Sequence, residues 1–117
     1  MAKRRAFAVL LLLLATAACS SGTRTTADVE RDALQPLKQR YPDVVTGFDP
    51  KGDVLDVSID MDALASMDED KEDQLKRDAV AEWANAWRRG NPGRHSTLTL
   101  RIVDFRGNTV FTQTNGV

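Results

Sequence analysis

Few side chains in this sequence could do chemistry, and their spacing decides what each can do. His95 is the only histidine and Cys19 the only cysteine among 117 residues. His95 follows Asn91-Pro92-Gly93-Arg94, a loop composition, so it reads as a surface residue. No second histidine can join it to build a transition-metal site. Ser20, Ser21, Ser58, Ser66 and Ser96 all lack the glycine-flanked setting of a nucleophile elbow. No glycine-rich phosphate loop is present. The chain is therefore not expected to be an enzyme, and no cofactor or resident metal is expected.

The carboxylates are denser. Asp60, Asp62, Asp68, Glu69, Asp70, Glu72 and Asp73 fall within 14 residues. Calcium is the ion such a cluster suggests, because it takes several oxygen ligands. An EF-hand loop needs Gly at its sixth position and Glu at its twelfth. Counted from Asp60 these are Ala65 and Lys71; counted from Asp68 they are Asp73 and Ala79. The run reads instead as the charged opening of a helix.

Cys19 has a different setting. Lys3, Arg4 and Arg5 precede an apolar run from Ala6 to Ala15. That run is too short to span a bilayer and reads as an export signal. Thr16, Ala17 and Ala18 then lead into Cys19, Ser20, Ser21 and Gly22. This segment resembles the lipobox of bacterial lipoproteins, with Thr16 where the family usually has Leu. The resemblance covers residues 1–19. It implies cleavage before Cys19, diacylglycerol on its sulfur and often a further acyl chain, such as palmitate, on its amine. Two chains anchor durably, since each buried methylene adds about 0.8 kcal/mol. Residues 1–18 are thus expected to be a signal peptide and residues 19–27 the lipidated cysteine with a flexible, polar tether.

Removing the leader changes the charge. The whole chain carries 16 bases and 17 acids, a net −1. Three of the bases and none of the acids lie in the first 18 residues, leaving 13 against 17, or −4. That excludes a generally basic nucleic-acid binder. The remainder is polarised. Residues 28–73 carry 14 acids and 5 bases, and residues 74–117 carry 3 acids and 7 bases. Lys76, Arg77, Arg88, Arg89, Arg94 and Arg101 are expected to lie near one another. Arg88, Arg89 and Arg94 are the candidate contacts to an anionic surface.

The elements that must position these residues are legible as patterns. Val29, Ala33, Leu34, Leu37 and Tyr41 recur at helical spacing, interrupted by Pro36 and stopped by Pro42. Pro36 predicts either a kink or a helix starting near Leu34. Val44 to Phe48 reads as a strand, Asp49-Pro50-Lys51-Gly52 as a turn, and Val54 to Asp60 as an alternating strand. A helix is predicted from about Met67 to Arg89, with Ser66 and Glu69 as a capping box. Its apolar stripe is Leu75, Ala79, Val80, Trp83, Ala86 and Trp87. Two strands follow around the Gly107-Asn108 turn.

The fold class expected is α+β in a single domain over 28–117. It is a two-layer sandwich with two helices on one face of a four-stranded, mostly antiparallel sheet. The order helix, strand, strand, helix, strand, strand is similar to that of the BON domain, a small envelope module. That likeness is architectural and carries over no residues.

The function expected is that of a membrane-anchored bacterial envelope lipoprotein whose domain is a small protein-interaction or binding module. The alternative is a small-ligand or ion-binding carrier domain at the membrane surface. The partners expected are the membrane, through Cys19, and an envelope protein, with no nucleic acid. The location is the outer face of the cytoplasmic membrane or the outer membrane. Cys19→Ala is expected to abolish incorporation of labelled palmitate; continued labelling of the variant would overturn the anchor.

Overall fold

A computed structural model describes residues 24–117. The predicted signal peptide, Cys19 and most of the predicted tether lie outside the described residues. The elements are α1 (Thr26–Arg40), β1 (Val45–Lys51), β2 (Val54–Ile59), α2 (Met61–Ala65), α3 (Glu69–Gly90), β3 (Thr97–Val103) and β4 (Thr109–Gly116).

The first helix begins earlier than its apolar pattern suggests. Thr25 Oγ1 accepts from the Asp28 N–H at 3.1 Å, and Asp28 Oδ2 accepts from the Thr25 N–H at 3.3 Å. This reciprocal capping box satisfies two N-terminal donors, with Thr25 as the N-cap and Thr26 and Ala27, expected in the tether, inside the helix. The helix then runs through Pro36 to Arg40. Pro36 and Asp32 are both exposed, so the missing N–H falls on the solvent side.

The four strands form one sheet in the order β1-β2-β3-β4. The outer pairs are antiparallel, and the central pair β2-β3 is parallel. A parallel pair needs a crossover connection, and α2 and α3 supply it. The β1-β2 turn sits at Gly52 and Asp53, with Gly52 at φ 59°. Pro50, expected in that turn, lies instead in edge strand β1, opposite Leu55. An edge strand tolerates proline because one side of its backbone needs no ladder partner.

Both long helices cover one face of the sheet. One inward row is Pro50, Leu55, Leu100 and Gln113, and the next is Phe48, Val57, Ile102 and Phe111. The buried stripe of α3 is Leu75, Ala79, Trp83, Ala86 and Trp87, with Val80 half-buried. Leu34 and Leu37 of α1 join this core. Such burial is the main stabilising contribution in a domain of this size.

The α3 start departs from expectation. Asp60 caps the unpredicted helix α2 by accepting from the Asp62 and Ala63 N–H groups at 2.9 and 3.2 Å. Ser66 closes that helix, donating its hydroxyl to the Asp62 carbonyl at 2.9 Å. The N-cap of α3 is therefore Asp68, and the Ser66–Glu69 capping box does not form.

The two long helices run antiparallel and touch at the end where the described chain begins. A Cβ on Gly90 would lie 2.9 Å from Glu30 Cγ and 3.0 Å from Thr26 Cγ2, so glycine permits the approach. At the other end of α1, Arg40 pairs with Glu82 at 2.6 Å and with Asp78 at 3.3 Å. No described helix is long and apolar enough to cross a membrane.

Candidate functional site

The expected acidic cluster is divided by the fold. Asp60 caps α2 and Asp62 occupies its first turn, while Glu69, Asp70 and Glu72 occupy the first turn of α3. Negative charge there is favourable to the exposed N–H groups and the helix dipole. Among the described residues no three His, Cys, Asp or Glu side chains converge as a metal site. His95 is exposed, as its loop composition implies, and no described carboxylate lies within ion-pair distance of it.

The expected grouping of six bases does not form. Lys76 lies 5.1 Å from the Phe111 ring centroid and pairs with Glu72 at 3.7 Å. Arg77 contacts Gln74. Arg101 projects from the face opposite the helices and meets Asp56 at 3.3 Å. These separations follow from geometry: at 1.5 Å per residue, twelve positions put Lys76 about 18 Å along α3 from Arg88.

Arg88, Arg89 and Arg94 do share one end of the molecule. The first two close α3, and the third lies in the following loop. All three are exposed, and no described carboxylate pairs with them. Arg94 and Thr25 line the same cleft, and Gly90, which follows Arg89, approaches Thr26, so these bases lie toward the end where the described chain begins.

The open sheet face is polar, as expected. One row across it is Asp49, Asp56, Arg101 and Thr112; another pairs Thr99 with Thr114, their hydroxyls 3.3 Å apart. The two sheet edges differ. Edge strand β1 carries Pro50, a register break between Val45 and Gly47, and the charges of Asp49 and Lys51. Arg31 of α1 also reaches Asp49, at 3.9 Å. Edge strand β4 has its own register break at Val110, but reads Thr-Val-Phe-Thr-Gln-Thr-Asn-Gly, with no proline and no charge.

The space between α3 and the sheet, beside Trp83, Leu98 and Leu100, is about 10 Å³. That is room for about one water molecule at this place between the layers. The larger clefts lie at the surface. One of about 310 Å³ is bordered by Ile59, Met61 and Phe105, the last 84% exposed. One of about 400 Å³ lies at the opposite end, beside Glu30, Asp53, Trp87 and Arg94.

Three polar side chains drawn from solvent are perturbed by the fold. Burial, aided by a hydrogen bond to Asp78, pushes the Tyr41 hydroxyl up to about 12. Burial opposes ionisation of Asp78, but hydrogen bonds from Tyr41 and Gln74, with Arg40 nearby, still hold it below the usual range. This group clasps the end of α1 to α3. Glu30 is more isolated. It is 3% exposed, and its Oε2 has no hydrogen-bond partner. Burial pushes it from 4.5 up to about 7, with Arg31 opposing and Asp53 adding to the shift. Sequence reading missed Glu30. Its signal is its place four residues before Leu34 and seven before Leu37, on the buried stripe.

Compared with known proteins, the chain matches no family model, no curated protein and no solved structure.

The Glu30 shift fixes a pH dependence. Unfolded, Glu30 ionises near 4.5; folded, only near 7. The stabilising contribution of its neutral form is complete below pH 4.5 and is lost as pH rises to about 7. The full effect is roughly 3 kcal/mol. Glu30→Gln removes the titration. In urea unfolding, the stability gain of the variant is expected to grow from its value at acid pH by roughly 3 kcal/mol above pH 7. A gain that stays constant across this range would contradict the assignment.

Proposed function

We propose that this protein is a lipid-anchored bacterial envelope protein whose α+β domain is a small protein-interaction module. The observation that carries the reading is the difference between the two sheet edges. Proteins usually block edge strands with charges, proline or bulges, because a bare edge recruits another strand. Both edges carry a register break, but the proline and the charges occur on β1 and neither occurs on β4. A partner is received along β4 as an added strand, its backbone completing the ladder that β3 begins.

The lipobox-like residues around Cys19 support the anchor. The point where the chain enters the domain supports an orientation. Residues 20–24 reach at most about 18 Å when extended. The end bearing Arg88, Arg89 and Arg94 then faces the headgroups, and the acidic start of α3 faces away.

Two experiments test these statements separately. A photocrosslinking residue at Thr112 on β4 is expected to capture a partner protein in intact cells, while one at Asp49 on β1 does not. Equal capture from both edges, or none from either, overturns the edge reading. For orientation, the unlipidated Cys19→Ala chain is expected to bind phosphatidylglycerol vesicles, more weakly as salt rises. Replacing Arg88, Arg89 and Arg94 by Ala weakens this binding by on the order of a hundredfold, at about 1 kcal/mol per arginine. Binding unchanged by salt or by the substitutions rules the orientation out.

A further inference from the structure

The cleft at the tether end holds a feature that neither the anchor nor the β4 edge explains. Glu30 lies on its wall, almost wholly buried, with one carboxylate oxygen unpartnered. An unsatisfied buried polar atom is costly and is rare in folded proteins. Asp53, from the β1-β2 turn, brings a second carboxylate to the same cleft. Its Oδ2 accepts from the Ser96 hydroxyl at 2.7 Å, and no described base pairs with it. Asn91 already uses its amide: Nδ2 donates to the Trp87 carbonyl at 2.9 Å, and Oδ1 faces Arg94 at 3.5 Å. The cleft is thus bordered by two carboxylates without ion-pair partners, by Trp87, and by the Arg94 guanidinium, which pairs with no described carboxylate.

We propose that this cleft binds a small zwitterion, with a primary ammonium at Glu30 and Asp53 and an anionic group at Arg94. An ammonium group has three donors and no acceptor, which matches the two carboxylates of Glu30 and Asp53 on the cleft wall. Charge-assisted bonds of this kind are about twice as strong as neutral ones. A metal ion fits less well, because no third ligating side chain joins the two carboxylates. The volume, about 400 Å³, suits a molecule of this size. The inference does not depend on the lipid anchor. The same chemistry occurs in a soluble zwitterion and in a phosphoethanolamine lipid headgroup.

Binding must be coupled to a proton. The charged groups around Glu30 are Arg31 on its own helix, Asp53 on the hairpin and Arg94 after α3. Near neutral pH, Glu30 is partly protonated, and an incoming ammonium expels that proton. Affinity therefore falls about tenfold per pH unit below about 7.

The test uses the full chain in an uncharged detergent, followed by tryptophan fluorescence and calorimetry. Soluble O-phosphoethanolamine is compared with ethanolamine and with inorganic phosphate. A second arm reconstitutes the chain into phosphatidylethanolamine or phosphatidylcholine vesicles. Millimolar or tighter binding of O-phosphoethanolamine, stronger than of either half, with proton release near pH 7, supports a soluble ligand. A fluorescence change confined to phosphatidylethanolamine vesicles supports the headgroup. Glu30→Gln, expected to fold stably, lowers affinity at least about tenfold, and Asp53→Asn on the exposed turn does so several-fold. No response in either arm overturns the proposal. So does equal binding of phosphate alone, or unchanged affinity in both variants.

Discussion

The indoles of Trp83 and Trp87, one turn apart on α3, hold the two layers together. Each is 2% exposed. Trp83 faces Leu98 and Leu100 of β3, while Trp87 lies beside Pro50 and Glu30 toward the start of α1. The described residues contain no cysteine, so no disulfide shares the work of holding the domain folded. In a domain this small, stability then rests on how well one helix fills the space between another helix and a sheet. The fit is tight enough to require glycine where α3 ends against α1.

That packing explains where polar groups become costly. Bringing Gly90 against Thr26 and Glu30 closes the end of the helix pair and buries a carboxylate that periodicity places on the apolar side of α1. Replacing Glu30 by an apolar residue would satisfy the core better. A group that lowers stability and also lines a cleft is the kind of local conflict that marks functional sites. Tyr41 and Asp78 show the contrast: also drawn from solvent, they are fully paired with each other and with Arg40 and Gln74.

How much of this was legible in the chain depended on whether a pattern answered to one surface or to several. The α3 stripe and the alternation of β2 each face a single core, and both are found where their residues place them. Signals that compete with neighbours were less reliable. Ser66 and Glu69 satisfy the capping pattern, yet Asp60 starts a turn of helix first and uses Ser66 to finish it. Pro50-Lys51-Gly52 satisfies a turn pattern, yet the strand pairs as far as Lys51 because Gly52 alone can take the left-handed conformation. The parallel register of β2 and β3 carries no local signal, since it is fixed by the crossover through α3. Glu30 was invisible for the opposite reason. A charged residue on an apolar stripe reads as an exception to be ignored, although it is the exception that lines the cleft.

The charge arrangement follows from the same topology. The chain is nearly neutral as a whole, but its acids fall mainly before residue 74 and its bases after. Simple halves would not separate them in space, because α1, from the first half of the chain, and the second half of α3 lie side by side. What separates them is the length of α3. Its 22 residues extend beyond the 15 of α1, and the excess is the acidic first turn. Arg88 and Arg89 sit at the other end, where they oppose the partial negative charge of the terminal carbonyls. Local helix electrostatics therefore builds a molecular dipole along α3. Because α1 runs antiparallel to it, the chain enters the domain at the basic end. A chain held through its first residues would thus turn Arg88, Arg89 and Arg94 toward whatever holds it, beside the cleft of Glu30 and Asp53 at the same end.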